Sequence, residues 1–288
     1  MSSATIQTSD ADSIKPFLAQ FQLPKKDSHK GQNGKLFIIG GSSLFHSALI
    51  WAAETASYFA DMVHASSTPD NNEILLSLKK KWQNGIVIPE GEREHYVRED
   101  DAILIGTGMM REGKESKDGK ALIKHLFDLF PEKKWVIDAG ALQIMNKDWL
   151  RKFKTKPLLT PHQKEFQSLF GDDILSLSRE QKIKKVIQTA KEYQVILLVK
   201  CGYDIVSDGK QTVVVEGGNA GLTKGGTGDI LASLAACFYT KHEGVQSAIL
   251  SSYLLKLTAD ELFKQKKYWF NNSDIISSLP KTLSGLLG

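Results

Sequence analysis

The sequence predicts an α/β fold in a single domain, with a central, mostly parallel sheet flanked by helices on both faces. Three observations carry that expectation. From Lys35 onward, short apolar β-rich runs alternate with amphipathic, helix-length stretches, which is the texture of βαβ units. One departure from the alternation, "YDIVSDGKQTVVVEGG", sets two short alternating runs around Asp208-Gly209, a hairpin signature. No internal repeat or low-complexity linker divides the 288 residues, a length that one large α/β domain can fill.

In chain order, residues 1–30 are polar apart from "IKPFLAQFQL" at 14–23, whose apolar spacing is helix-like. That segment reads as an arm packing on the body or on a neighbouring subunit, with the domain proper at 31–288. The strands expected next are "KLFIIG", "MVHAS", "GIVI", "AILIG", "WVIDAG", "PLLT" and "VILLVK", with "ALIWAAETASYFA" as a helix after the first of them. Beyond the hairpin, "DILASLAACFYTKH" and "VQSAILSSYLLKLTADELFKQK" have helical period.

Composition excludes several function classes. The 37 basic and 33 acidic residues give a net charge of +4 with no concentrated basic run, so nucleic-acid binding is not expected. Cys201 and Cys237 form no CxxC pair or His/Cys cluster, so neither a disulfide framework nor a zinc site is expected, and a reducing cytosol fits. No run reaches the roughly 18 apolar residues of a membrane helix, and residues 1–12 lack the basic-then-apolar order of a signal peptide. A soluble, cytoplasmic protein is the expectation.

The chemistry concentrates in residues 219–233, "NAGLTKGGTGDILAS". Gly221, Gly225, Gly226 and Gly228 fall within eight residues and lead into an apolar helix with Asp229 in its first turn. Glycines let backbone amides converge, and the helix start adds its free N–H groups and partial positive charge, so Gly226, Thr227 and Gly228 read as an anion hole. Asp229 is open to two readings. It complements the helix dipole, or it is a general base that takes a proton from a hydroxyl while the amides hold the phosphoryl group transferred to it. A Walker loop and a dinucleotide fingerprint are both disfavoured, since GxxxxGK[ST] is absent and the loop follows a hairpin late in the chain.

Two more glycine turns, "FIIGGSS" and "ILIGTGM", end expected strands, and "LLTPHQKEF" sets His162 just past another strand end. In open parallel sheets, ligands lie beyond those ends. Glu165 reads as a helix-start acid or as a group that influences magnesium through water; direct ligation is disfavoured.

Together these segments resemble the NAD(P)H-hydrate dehydratase family of the ribokinase-like superfamily, the carbohydrate-kinase-like half of YjeF proteins. The likeness runs from "LPKKDSHKGQNGKLFIIGGS" through "GTGM", "VIDAGAL", "TPHQKEF" and "LLVKCGYDIV" to "GNAGLTKGGTGDILA". It implies that ATP or ADP phosphorylates the ring hydroxyl of hydrated NADH or NADPH, that phosphate is then eliminated, and that Asp229 is the base. It implies dinucleotide contacts at Ala48, Gly108, His162 and Asp229. Nucleotide contacts are implied at Lys200, Cys201, Gly202, Tyr203, Asp204, Asn219, Gly225 and Gly228. Magnesium as the phosphate's partner, a separate epimerase and a homo-oligomer, with the 14–23 arm at its interface, are implied as well.

The chain departs from the family pattern at several places. Lys164 replaces a glycine, Cys201 follows Lys200 where LKG is usual, Gly140 replaces the second acid of DADAL, "GTGMM" replaces GPGLG, and "FADMV" replaces GAGLV. Two alternatives follow: a kinase of a sugar or thiazole alcohol that releases the phosphate ester, and a nucleotide-binding relative without turnover.

Overall fold

The computed structural model describes residues 3–80 and 83–288. Its elements run β1 (Ala4–Gln7), α1 (Lys15–Leu18), β2 (Lys35–Ile39), α2 (His46–Ala56), β3 (Met62–Ser66), α3 (Pro69–Leu78), β4 (Ile86–Val87), α4 (Arg93–Glu99), β5 (Ala102–Ile105), α5 (Gly113–Leu129) and β6 (Lys134–Ile137). They continue with α6 (Ala139–Ile144), β7 (Leu158–Leu159), α7 (Gln163–Phe170), α8 (Arg179–Tyr193), β8 (Ile196–Lys200), β9 (Asp204–Ser207), β10 (Thr212–Glu216), α9 (Thr227–Lys241), α10 (Gly244–Lys266) and α11 (Asn272–Leu287).

Among the described residues the strands form one sheet in the order β1-β10-β9-β8-β7-β6-β5-β2-β3-β4. Only β9 runs against its neighbours, as the hairpin requires; every other pairing is parallel. Alternation along each strand feeds two cores. Leu36 and Ile38 of β2 join the cluster under α2, α9 and α10, whereas Phe37 and Ile39 join the one under α5, α7 and α8. All four are buried, so a one-residue slip of register would exchange the two faces wholesale. The near-continuous apolar strands of the sequence are thus the consequence of helices on both sides.

The segment set apart as an arm is woven into this body. Strand β1, which alternation did not reveal in so short and polar a context, pairs in parallel with β10 and closes that edge of the sheet. The helix expected over 14–23 is confined to Lys15–Leu18. Ile6 and Ile14 are in the core, and Phe17, Leu18 and Phe21 pack against it. Ile14 is thus buried within this chain and Phe17, Leu18 and Phe21 are partly so, whereas Leu23 remains exposed. The first two residues of the arm lie outside the described residues. Because Ile14 is fully buried, Ile14→Ala should lower unfolding stability by about 2–5 kcal/mol, the usual cost of such a cavity. Urea denaturation measures it, and an unchanged midpoint would show that residues 1–30 are an accessory.

Candidate active site

Strand order reverses at β2: β3 and β4 lie on one side of it, and β5 through β10, with β1 at the edge, on the other. A crevice opens at such a switch point, beyond the carboxyl ends of the strands. The turns after β2 and β5 meet there. Gly41 donates its N–H to the Thr107 carbonyl at 2.6 Å, and a Cβ on Gly40 would fall 2.3 Å from the same oxygen. Gly108, at φ +70°, lets the chain pass Ala48 of α2 at a distance no side chain would permit. Ala48 and Gly108 are thereby brought together. Beside them, a pocket of about 370 Å³ is lined by Gly40, Gly41, Arg93 and Met109. A larger cavity of about 950 Å³ lies between residues 21–33 and the end of α11, at the amino ends of the strands. None of the expected site residues lines it.

The glycine loop reaches the same crevice from the far side. Gly226 has φ +100°, and any Cβ there would collide with Trp51 and Asn272, both within 2.3 Å. The loop is held from outside: Asn272 Nδ2 donates to the Gly225 carbonyl at 2.8 Å, and Thr227 Oγ1 donates back to the carbonyls of Leu222 and Lys224. The Thr227 N–H leans on the Lys224 carbonyl at 3.4 Å. No side chain caps the start of α9, so first-turn amides are left to face an anion. The Asp229 carboxylate sits in that first turn.

Around Asp229 stands a polar cluster made by adjacent strand ends. Asp138, 1% exposed at the end of β6, accepts from Thr160 Oγ1 at 2.7 Å and pairs with Lys200 Nζ at 3.0 Å. That ammonium lies beside the start of α9, 3.4 Å from where a Cβ on Gly228 would be. Burial first, then the charges of Asp138 and Glu165, push the Asp229 carboxyl up to about 7, against the pull of Lys200. Burial opposes the charge on Lys200, but Asp138, Glu165 and Asp229 outweigh it and raise its pKa. The result is a base poised near neutrality beside a fixed cation and free amides.

His162 and Glu165 cap α7 reciprocally: the Glu165 N–H donates to Nδ1 of His162 at 3.0 Å, and the His162 N–H donates to Oε2 of Glu165 at 2.9 Å. The imidazole is half exposed, and its Nε2 lies 3.5 Å from Oε1 of Glu165. Glu165 Oε1 also accepts from Gln143. With its carboxylate taken up in this way, Glu165 is the helix-start acid that the sequence allowed. Among the described residues no group of three or more His, Cys, Asp and Glu side chains could hold a metal ion.

The remaining expected contacts divide. Gly202 and Gly225 are exposed, and Tyr203 lies under the Arg179 guanidinium at 4.7 Å from its ring. Burial, then Asp204, pushes the Cys201 thiol up to about 11, so it acts as a small apolar group. The Asp204 carboxylate is buried against Ser252 and Lys256 of α10. The Asn219 side chain accepts from the Gly221 N–H and donates to Ala259 and Asp260, which makes it a strut of the loop. Sequence reading did not single out Asp138, Thr160, Trp51 or Asn272. Asp138 and Thr160 were signalled by their positions at expected strand ends; nothing in sequence signalled the other two.

A family model described as NAD(P)H-hydrate dehydratase matches residues 36–281. The chain is 30% identical over 268 residues to the bifunctional NAD(P)H-hydrate repair enzyme Nnr of Methanocaldococcus jannaschii, covering 91% of this chain and 50% of that protein. It thus spans about half the length of that relative. It is 26% identical over 278 residues to the ADP-dependent (S)-NAD(P)H-hydrate dehydratase of Staphylococcus aureus, covering 93% and 96% of the two chains. Among solved structures, a ribokinase-like superfamily protein of Enterococcus faecalis superposes with a TM-score of 0.82 at 20% identity, covering 98% of this chain and 96% of that one. The ADP/ATP-dependent NAD(P)H-hydrate dehydratase of Bacillus subtilis, co-crystallised with ATP and Mg2+, superposes with a TM-score of 0.76 at 19% identity, covering 94% and 96%. At these identities the structural likeness shows a ribokinase-like fold.

Proposed function

The chain belongs to the NAD(P)H-hydrate dehydratase family, and from that premise we propose that it restores hydrated NADH or NADPH at the expense of ATP or ADP. The observation that carries the reading is a carboxylate in the uncapped first turn of a buried helix, beside the Lys200–Asp138 pair and the tightly turned glycine loop; burial there raises its pKa to about 7. Asp229 takes the proton of the ring hydroxyl as its oxygen attacks the terminal phosphorus and the nucleotide leaves with the bridging oxygen. The amides of Gly226, Thr227 and Gly228 hold the phosphoryl oxygens, and Lys200 neutralises charge beside them. Such positioning and fixed charge supply most of what phosphoryl transfer needs. Loss of the ring phosphate together with a neighbouring ring proton then regenerates the reduced nicotinamide. Ala48, Gly108 and His162 hold the dinucleotide, and Lys200, Cys201, Gly202, Tyr203, Asp204, Asn219, Gly225 and Gly228 border the donor. Magnesium, when bound, shields the donor's phosphate charge. A separate epimerase supplies the reactive epimer, and the protein works as a cytoplasmic homo-oligomer.

The test is absorbance at the wavelength of reduced nicotinamide after mixing the protein, hydrated NADH and magnesium with ATP or ADP in turn. A nucleotide-dependent rise is expected. Nucleotide consumption with a small alcohol and no rise with hydrated NADH would instead identify an alcohol kinase. The base must be ionised to act, so kcat/KM should climb with pH up to about 7, where the Asp229 carboxyl titrates, and level off above it. A profile flat from pH 5 to 9 would remove Asp229 from that role.

A further inference from the structure

Helix α2 touches both halves of the crevice on one face. Ala48 meets Gly108 of the turn after β5, and Trp51, three residues on and hence on the same side of the helix, meets Gly226 of the anion hole. The contact at Trp51 is close: a Cβ on Gly226 would lie 2.3 Å from the indole atoms Cε3 and Cζ3. On the opposite flank of Gly226 stands Asn272 at the start of α11. Its Nδ2 would be 2.2 Å from the same Cβ and donates to the Gly225 carbonyl at 2.8 Å. The Asn272 side chain is buried, and its Oδ1 has no partner among the described residues. A buried acceptor without a donor is costly, so this asparagine is a poor choice for packing alone. Its amide is aimed at the loop.

We infer that Trp51 and Asn272 are positioning residues which clamp Gly226 and set the anion hole at a fixed distance from the substrate side of the crevice. This rests on the proposed dehydratase reading for its kinetic consequence. Neither side chain need touch the reacting atoms. The indole is a flat wall that fixes where the loop stops, and the amide holds the carbonyl of the preceding residue. In-line phosphoryl transfer is sensitive to displacements of about 1 Å, which cost on the order of 10²-fold in rate. Ground-state binding of the nucleotide, spread over many contacts, is much less sensitive.

The test compares Trp51→Leu, Trp51→Phe and Asn272→Leu in the full chain. Trp51→Leu and Asn272→Leu should each lower kcat by about 10²-fold, with KM for nucleotide and for hydrated NADH moved less than about threefold. Trp51→Phe, which keeps a flat ring against Gly226, should recover most of kcat. The double variant should be no worse than the poorer single one, because both act on one loop. A second readout is independent of turnover. Inorganic phosphate entering the hole should shift the tryptophan emission of the wild type, and Trp51→Phe should lose that shift. Normal kcat in both Leu variants, or kcat and KM falling together with thermal stability, would overturn the clamp. A wild type that shows the phosphate-induced shift but no turnover would overturn the dehydratase reading and leave the clamp standing.

Discussion

Asp229→Asn should lower kcat by about 10²–10⁴-fold, the range that a positioned general base contributes, while KM for nucleotide and substrate stays within a few-fold. The amide is nearly the same size and can still sit in the first turn of α9, so binding by the surrounding amides is retained. A group used mainly in the transition state shows in the rate constant. The same substitution has an opposite and independent effect on stability. The folded-state pKa of Asp229 is raised from 3.8 to about 7 by burial and neighbouring carboxylates. An acid whose pKa is raised on folding favours the folded state while protonated. The wild type therefore loses that contribution as pH climbs from about 4 through about 7. Asparagine has no proton to lose. The melting temperature of the variant should exceed that of the wild type by an amount that grows across this range and is constant above it. Turnover and melting curves on the same two proteins at pH 5 and pH 8 decide both points. Equal turnover refutes the base, and an equal melting difference at the two pH values refutes the perturbed carboxyl.

Much of the architecture was legible because its signal is local. β2, β5, β6 and β8 are four- or five-residue strands that are apolar but for a terminal lysine in three of them, and the glycines ending β2 and β5 announced turns that had to pack closely. The anion hole and Asp229 were legible for the same reason, since backbone conformation, helix start and acid fall within a few residues. What was not legible depends on distant partners. Strand β1 is short and polar, and only the free edge of β10 makes it a strand. Asp138 and Thr160 stand 22 residues apart; the parallel pairing of β6 with β7 brings them to one point. Trp51 looks like any aromatic residue on a helix until α9 is set against α2.

The departures from the family pattern also resolve into contacts that sequence order conceals. Gly140 and Met109 belong to one change: a Cβ on Gly140 would be 2.4 Å from the Met109 carbonyl, so the altered turn after β5 occupies the room of a side chain at 140. Asp61, in "FADMV", accepts the N–H groups of Gly31 and Asn33 and so anchors the "HKGQNG" lead-in at the amino end of β2. That anchoring is remote from the strand ends where Asp229 acts. Lys164 is exposed on α7, where a longer side chain meets no obstacle. None of the three alters the hole or its base.

Lys200→Met should be damaging in two separable ways. The ammonium is the cation among Asp138, Glu165 and Asp229, paired at 3.0 Å to an Asp138 side chain that is 1% exposed. Removing one member of a buried pair leaves the other charge uncompensated, which costs about 3–5 kcal/mol where both are fully buried. Lys200 is 21% exposed, so the lower end of that range is expected in urea denaturation. The kinetic effect has its own signature. Lys200 pulls the Asp229 pKa down, so without it the carboxyl titrates above 7 and the rising limb of the pH profile moves to the alkaline side. Raising pH should then recover part of the lost kcat/KM. The remainder, about 10²-fold or more by analogy with losing a fixed donor to a developing charge, is the direct loss beside the phosphoryl group. Adding Asp138→Asn distinguishes the two roles. With both charges gone the buried imbalance is relieved and stability should largely return, while turnover should stay low because no cation faces the hole. Recovery of both together would mean that Lys200 serves only to neutralise Asp138. Loss of turnover with the pH limb unmoved would mean that its field does not reach Asp229.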